Sequence, residues 1–202
     1  MTTRNQGLIK IISHFEKSGY DFSNKRAVDF FAREGDWQTS ILADKVCEIT
    51  AFEIEEKYLN SLKKNLPNNA IIRIKDSIKS ICEVKQNYDI IILDNPMGCF
   101  GESGEYCEHF DIIEKTFNIM NSKCLLIFNV KTKPYNFNNN EKWKKRRNNF
   151  YGVSDSSNLS IEFFKDFYFN MIKENKRNID GYLIVNRPQE SHLFQMSFLI
   201  SS

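Results

Sequence analysis

The tripeptide Asp94-Asn95-Pro96 directly follows an apolar run, YDIIIL at 88–93, and has the side chains of a small polar binding site. A carboxylate accepts hydrogen bonds or takes a proton, an amide donates and accepts, and proline turns the chain. Two interpretations stay open. The strand simply stops here, or it ends at the rim of an active site, with Asp94 and Asn95 as candidate catalytic residues.

Two further acidic residues follow apolar segments in the same way. Glu53 and Ile54 end the segment VCEITAFEI, where a carboxylate can accept two hydrogen bonds from a ribose diol. Asp76 and Ser77 follow AIIRI, where Asp76 can accept a hydrogen bond from an exocyclic amine such as that of adenine. Each has a structural alternative: a solvent-facing strand end for Glu53 and the N-cap of a helix for Asp76.

The segment DFFAREGDW, 29–37, combines a short apolar run with a turn that carries a glycine and leads into a predicted helix. The free N–H groups at the start of a helix favour electronegative ligand atoms. This loop therefore predicts another part of the binding site. Its candidate ligand-binding residues are Asp29, Phe31, Ala32, Arg33, Glu34 and Gly35.

The loop that follows Asp94 holds several residues able to move protons. Within GESGEYCEHFD, 101–111, His109 titrates near neutral pH and is the candidate catalytic base. Its alternative is a solvent-facing histidine at the start of a helix. Cys99, Cys107 and His109 are irregularly spaced without an obvious fourth ligand, so no metal site is predicted.

The elements that must position these residues alternate along the chain. Apolar residues at helical spacing predict helices over 7–17, 38–46, 55–66, 77–84, 107–121 and 160–175. Apolar or alternating runs predict strands over 27–31, 46–54, 70–74, 88–93, 124–130, 181–186 and 194–200. This order predicts a mostly parallel sheet with helices on both faces, and the turn at 187–191 predicts a closing antiparallel pair.

We predict one domain over 1–202, because no linker or internal repeat divides the chain. An N-terminal helix lies within 1–24. The segment 132–158, rich in asparagine and lysine, is predicted to be an irregular insertion with one basic helical piece on the ligand side of the sheet.

Composition indicates a soluble globular protein, with 41% hydrophobic and 27% charged residues. The net charge of +2 predicts no strong long-range attraction to nucleic acid or an acidic membrane. Charge is uneven, however, because KWKKRR at 142–147 (the basic run) places five cations in six residues. The basic run is interpreted as a solvated helix face, with a phosphate-contacting patch as the alternative.

The five cysteines form no C-x-x-C pair and are odd in number, which is typical of a reducing compartment. No signal peptide and no run of about 18 apolar residues is evident. The expected location is the cytoplasm, with no membrane partner.

In this order and at these spacings, the candidate residues resemble the class I S-adenosylmethionine (SAM)-dependent methyltransferases over about residues 25–130. The segment at 29–35 is similar to that family's D-x-F-A-G-x-G loop. Glu53 lies where the family has its ribose-binding acid, and Asp76 where it has its adenine-ring acid. Asp94-Asn95-Pro96 lies where many members carry Asp-Pro-Pro or Asn-Pro-Pro.

The resemblance implies a three-layer Rossmann-like α/β sandwich, SAM as cofactor, and a meeting point of cofactor and acceptor at Asp94. Two departures stand out. Arg33 replaces the middle glycine of the loop, where it either contacts the methionine carboxylate or weakens cofactor binding. Asn95 and Met97 break the double-proline pattern with its following aromatic, which makes a nucleobase amine a less favoured acceptor.

We therefore predict a methyltransferase that acts on an oxygen or nitrogen nucleophile of a small-molecule or carbohydrate substrate. A nucleic-acid methyltransferase is the first alternative, favoured by the basic run and the Asp-Asn-Pro turn. A non-catalytic module that binds a nucleotide or a partner protein is the second, and Arg33 is the feature that keeps it open.

Overall fold

The computed structural model describes residues 5–135, 137–187 and 190–202. Residues 1–4 of the predicted N-terminal segment and residues 188 and 189 of the predicted turn lie outside this description. The helices are α1 (Gln6–Lys17), α2 (Gln38–Ala43), α3 (Leu59–Asn65), α4 (Ser77–Ser80), α5 (Ile113–Thr116), α6 (Glu141–Tyr151) and α7 (Ile161–Glu174). The strands are β1 (Arg26–Asp29), β2 (Glu48–Glu53), β3 (Ile71–Ile74), β4 (Tyr88–Leu93), β5 (Cys99–Phe100), β6 (Tyr106–Cys107), β7 (Met120–Lys131), β8 (Asn178–Asn186) and β9 (Leu193–Ser201).

Seven strands form one sheet in the order β3-β2-β1-β4-β7-β9-β8. The pairs from β3 through β7 are parallel, and β9 is antiparallel to both β7 and β8. The mostly parallel sheet with a C-terminal antiparallel hairpin is therefore confirmed. Because β8 and β7 both oppose β9, the carboxyl end of β8 lies at the same edge as those of the parallel strands.

Alternation along the buried strands builds two hydrophobic cores, one on each face of the sheet. In β4, Ile90 and Ile92 pack with α1, α2 and α3, whereas Ile91 and Leu93 pack with α4, α5 and α7. Helices thus cover both faces, as predicted for a three-layer sandwich.

One predicted element is wrong: residues 107–121 do not form a single helix. Cys107 belongs to β6, which pairs with β5 in a small separate hairpin, and α5 begins only at Ile113. The Asp111 carboxylate accepts the Cys107 N–H at 3.0 Å, and Glu108 has a positive φ of 47°. This side-chain acceptor and left-handed residue interrupt the helix that the apolar spacing indicated.

The segment 132–158 contains the eleven-residue helix α6, longer than the basic helical piece predicted within an irregular insertion. Asn140 caps its start by accepting the Trp143 N–H at 3.0 Å, and Gly152 ends it with a φ of 65°. Across the described residues, every helix is too short or too polar to cross a membrane.

Candidate active site

A cleft of about 740 Å³ opens at the carboxyl ends of β1, β2, β3 and β4. This edge is where ligands bind in open parallel sheets. Ten of the residues predicted to form the site line the cleft. They are Asp29, Phe31, Ala32, Arg33, Glu53, Ile54, Asp76, Ser77, Asp94 and Asn95.

Asp29 is the most buried carboxylate of the cleft. One carboxylate oxygen accepts the Phe31 N–H at 3.0 Å, and the other accepts the Thr39 hydroxyl at 2.8 Å. Burial raises the pKa of Asp29 to about 7, and the nearby Asp94 carboxylate adds to the increase. Asp29 therefore changes its charge close to neutral pH.

This elevated pKa predicts a stability that falls as pH rises. Between the unfolded pKa near 4 and the folded pKa near 7, the folded state binds more protons, so stabilisation is complete below about pH 4 and is lost through about pH 7. Relative to Asp29→Asn, the wild type should lose up to about 1.4 kcal/mol per pH unit in this window. Urea unfolding from pH 4.5 to 8 measures it, with the exposed Asp44→Asn as control. Parallel wild-type and Asp29→Asn profiles would contradict the assignment.

The loop after β1 contains two residues in left-handed conformation, Arg33 with φ 48° and Gly35 with φ 72°. Arg33 therefore adopts a backbone conformation that glycine favours. A Cβ atom at Gly35 would lie 3.0 Å from the Leu62 side chain and 3.2 Å from that of Leu66. Glycine at this position lets the loop pack closely on α3.

Glu34 and Gly35 do not line the cleft, which corrects the prediction that they contact a ligand. The Glu34 carbonyl accepts the Asn65 side-chain amide at 2.8 Å, and Gly35 faces α3. The Arg33 side chain, by contrast, borders the cleft, with its guanidinium 5.6 Å from the Trp37 ring centroid and 5.8 Å from that of Tyr58. Arg33 and Trp37 of this loop, together with Tyr58 just before α3, thus place one cation and two aromatic rings beside the cleft.

Glu53 joins this loop to the end of β2. One carboxylate oxygen accepts the Arg33 N–H at 2.9 Å, and the other accepts the Glu55 N–H at 2.8 Å. A carboxylate has about four acceptor positions, so each oxygen keeps capacity for one further donor. Glu53 is therefore a buried acceptor that joins the loop after β1 to the end of β2, rather than a solvent-facing strand end.

Asp76 acts as the helix cap that the sequence offered as its alternative role. One oxygen accepts the Ile78 and Lys79 N–H groups at 3.0 and 3.2 Å. The other accepts the Tyr106 hydroxyl at 2.6 Å and lies 3.4 Å from the Lys79 ammonium. These partners use the acceptor capacity of the carboxylate, so Asp76 connects β3 to the β5–β6 hairpin across the cleft.

Asp94 is the centre of a polar network that spans three strands. Its Oδ1 atom accepts Arg187 at 2.7 Å and the Asn129 side-chain amide at 2.6 Å. Asn95 is turned back to the sheet, because its Oδ1 accepts the Asn129 backbone N–H at 3.1 Å. Among the described residues, the Asp94 Oδ2 atom has no hydrogen-bond partner, so it is free to accept one from a ligand.

Gln38 has a second unsatisfied group beside the cleft. Its Nε2 atom is buried and has no partner within the described part of the chain, although its Oε1 accepts the Gln195 amide. A buried donor without an acceptor costs about 1–3 kcal/mol. The Gln38 Nε2 atom has almost no accessible surface, so a ligand in the cleft would reach it only after the side chain moves.

Exposed apolar side chains mark the cleft entrance. Ile54 is 56% exposed and Tyr135 is 59% exposed, although residues of both types are usually buried at least in part. Both line the cleft, where a bound ligand would cover them.

The sequence analysis did not identify several residues that line the cleft. These are Trp37, Gln38, Thr39, Tyr58, Phe100, Tyr106, Arg187 and Glu190. The position of Arg187 in the sequence could have predicted its place in the cleft. It directly follows β8, whose carboxyl end lies at the same sheet edge as the cleft. Asn129, at the end of the predicted strand 124–130, also lines the cleft, although the sequence does not decide whether it touches a substrate.

His109 is not the catalytic base that the sequence predicted. It has no exposed surface, and its Nε2 atom shares a hydrogen bond with the Tyr168 hydroxyl. Burial lowers the pKa of His109 to about 3, with a further contribution from the nearby Arg147 cation. The neutral imidazole packs inside the core, beside the Phe128 ring.

The basic run is only partly a solvated face, because three of its five cations bind the β5–β6 hairpin and the turn after it. Lys142 donates to a carbonyl of the hairpin turn at 2.8 Å. Arg146 holds both oxygens of Asp111 at 2.6 and 2.7 Å, and Arg147 is paired with Glu108 in the interior. Helix α6 therefore fixes the hairpin that forms one wall of the cleft.

Solved structures that share this fold include three proteins of low sequence identity, two of which are named as methyltransferases. Trm5b from Pyrococcus abyssi has a TM-score of 0.55 and 14% identity, covering 94% of this chain and 48% of that one. PH1948 from Pyrococcus horikoshii, provisionally named an RNA methyltransferase, has a TM-score of 0.57 and 16% identity over 96% and 82%. The 1,6-didemethyltoxoflavin-N1-methyltransferase from Burkholderia thailandensis, with bound 1,6-didemethyltoxoflavin and S-adenosylhomocysteine (SAH), has a TM-score of 0.61 and 9% identity over 100% and 79%.

At these identities the likeness establishes the fold alone, the Rossmann-like fold of class I methyltransferases. This chain spans about half the length of Trm5b. No protein-family model and no curated protein sequence matches the chain.

Proposed function

We propose that this protein is a SAM-dependent methyltransferase that acts on an oxygen or nitrogen nucleophile of a small-molecule or sugar-like acceptor. One observation carries the proposal: acidic residues at the carboxyl ends of four adjacent parallel strands, Asp29, Glu53, Asp76 and Asp94, meet in one cleft. The same fold without these four acidic residues would not support the proposal.

The residues of the cleft fit SAM in shape and in donor set. A volume of about 740 Å³ is within the range of pockets that hold a drug-sized ligand. Glu53 keeps acceptor capacity for the ribose diol. The exposed Ile54 side chain would pack against the face of the adenine ring. The Arg33 guanidinium, which borders the cleft, would be the donor for the methionine carboxylate.

When bound, SAM supplies an electrophilic methyl group on a sulfonium cation. The carboxylate of Asp94, and that of Asp29 where it is ionised above about pH 7, would stabilise positive charge at this end of the cleft. Alignment of two bound reactants accounts for most of the rate that such an enzyme provides, about 7–11 kcal/mol at best. Asp94 Oδ2 is free to orient the acceptor nucleophile and, for a hydroxyl acceptor, to take its proton.

The contacts of the basic run favour a small acceptor. Lys142, Arg146 and Arg147 bind the hairpin and the turn that follows it, so much of the charge of the run is used within the protein. The remaining residues of the run, Lys144 and Lys145, supply little of the charge that nucleic-acid binding requires. The likeness to a provisionally named RNA methyltransferase keeps nucleic acid as an alternative to be tested.

Calorimetric titration with SAM and SAH, with NAD as control, tests the cofactor. Micromolar binding of the first two and none of NAD is expected. Incubation with SAM labelled on its methyl group, in the presence of either a small-metabolite extract or total RNA, then identifies the acceptor class. Label in the RNA would overturn the small-molecule proposal, and absence of SAM and SAH binding would overturn the enzyme proposal.

Glu53→Gln is expected to weaken SAH binding about 10- to 100-fold, because it removes charged hydrogen bonds worth about 1.5–3 kcal/mol. The amide cannot accept from both Arg33 and Glu55 as the carboxylate does, so the loop is also loosened. Calorimetry measures the affinity. Glu56→Gln, the same change at a nearby exposed residue that does not line the cleft, is the matched control. Equal affinities in the two variants would contradict the placement of the ribose.

A further inference from the structure

The β5–β6 hairpin has two faces with different residues. Phe100 and Tyr106 line the cleft, where the Phe100 ring lies 5.8 Å from that of Phe31. Their neighbours Cys99 and Cys107 point to the other face, because side chains alternate along a strand. The two cysteines thus stand opposite each other on the same side of the hairpin.

The hydrogen-bond register brings the two sulfur atoms close. Cys99 and Cys107 are directly paired, and the Glu108 N–H donates to the Gly98 carbonyl at 3.0 Å, one residue outside the pair on each strand. This pattern makes the cysteines a non-hydrogen-bonded pair, in which the Cα atoms are about 4.5 Å apart. That separation is within the range of about 4.4–6.8 Å that a disulfide spans.

The surroundings give the two thiols different reactivities. Cys99 is partly exposed, whereas Cys107 is buried beside Trp143 and Phe137. Burial raises the pKa of the Cys107 thiol, which makes Cys107 the slower of the two thiols toward a dissolved oxidant. A dissolved oxidant therefore reaches Cys99 first, and Cys107 is the thiol that resolves the product.

We propose that Cys99 and Cys107 are a redox-sensitive modification site, which closes a cross-strand disulfide on reaction with a peroxide. The Cys99 sulfur attacks the peroxide, the O–O bond breaks, and the departing hydroxide takes the thiol proton to form water. The Cys107 sulfur then attacks the resulting sulfenic acid, the S–O bond breaks, and a second water forms. Two thiols together lose two electrons and two protons, and hydrogen peroxide is reduced to two waters.

The disulfide would fix the hairpin in the arrangement in which it forms one wall of the cleft. It joins positions adjacent to Phe100 and to Tyr106, whose hydroxyl binds Asp76 at 2.6 Å. Opening of the hairpin would then require separation of two covalently joined strands. This inference does not depend on methyl transfer, since it concerns the hairpin and its thiols alone.

The test is treatment of the full chain with hydrogen peroxide, followed by blocking of free thiols and peptide mapping without reduction. A peptide linking Cys99 to Cys107 is expected in the wild type and in Cys82→Ser, a matched control at an exposed cysteine, but not in Cys99→Ser. Recovery of Cys99 and Cys107 as free thiols, while exposed Cys47 and Cys82 are oxidised, would overturn the proposal.

Hydrogen exchange of the amides at 98–108 tests the structural consequence. Exchange should be slower in the oxidised wild type than in the reduced protein, and should be restored by a thiol reductant. Unchanged exchange in a sample that contains the Cys99–Cys107 linkage would overturn the inference that the disulfide holds the hairpin. Both measurements use protein without cofactor or acceptor, so they do not test the proposed activity.

Discussion

Replacing Asp94 with asparagine is expected to lower the rate of methyl transfer by about 100- to 10,000-fold, the contribution of a positioned acid–base group. Asparagine keeps the shape and an Oδ1 acceptor for Arg187. It replaces the free Oδ2 acceptor with a donor and leaves the Arg187 cation without its 2.7 Å counter-ion. SAH affinity should change far less than the rate, because Glu53 and the loop after β1 are untouched.

The measurement for Asp94→Asn compares the rate on the acceptor found by the labelling screen with the SAH affinity from calorimetry. Asp36→Asn is the control, since Asp36 also lines the cleft but is exposed and makes no contact with Arg187. A rate within threefold of the wild type would remove Asp94 from the reaction. A parallel loss of rate and SAH affinity would instead assign it to cofactor binding.

The placement of Glu53 and Asp94 could be predicted because it follows from a general rule. Parallel strands end at one edge of a sheet, so residues directly after consecutive strands meet there without any further information. The same rule, applied to β8, would have predicted Arg187. The sequence pattern of the closing pair does not show which of its strands runs against the sheet, and only β9 does.

The position of His109 could not be read in this way. Phe110, Ile113 and Phe117 have helical spacing, but the Asp111 side chain captures the Cys107 N–H and two short strands pair instead. These choices depend on tertiary contacts with α6. The local pattern carries no sign of them, because the acidic loop and the basic run are some 40 residues apart in sequence.

The largest stability loss is expected for Arg147→Met, at about 3–5 kcal/mol, the cost of removing one partner of a buried ion pair. Arg147 and Glu108 both have no exposed side-chain surface. Without the guanidinium, the Glu108 carboxylate retains only the Trp143 indole N–H at 2.8 Å, and its Oε2 atom already lacks a partner among the described residues. Methionine fills much of the volume, so the loss reports the uncompensated charge together with the Ser156 and Lys131 carbonyls, which lose the guanidinium as donor.

The free energies of unfolding in urea of Arg147→Met and Arg146→Met compare the loss of a buried ion pair with the loss of a partly exposed one. Arg146→Met removes the pair with Asp111 and should cost about 1 kcal/mol or less, because water partly replaces that contact. The double variant Glu108→Gln with Arg147→Met should regain part of the loss, since a neutral amide is less costly to bury than a lone carboxylate. Equal costs for the two arginine variants would mean that the interior pair does not stabilise the hairpin. Recovery in the double variant would locate the energy in the charge of Glu108, and therefore in the wall of the cleft that α6 supports.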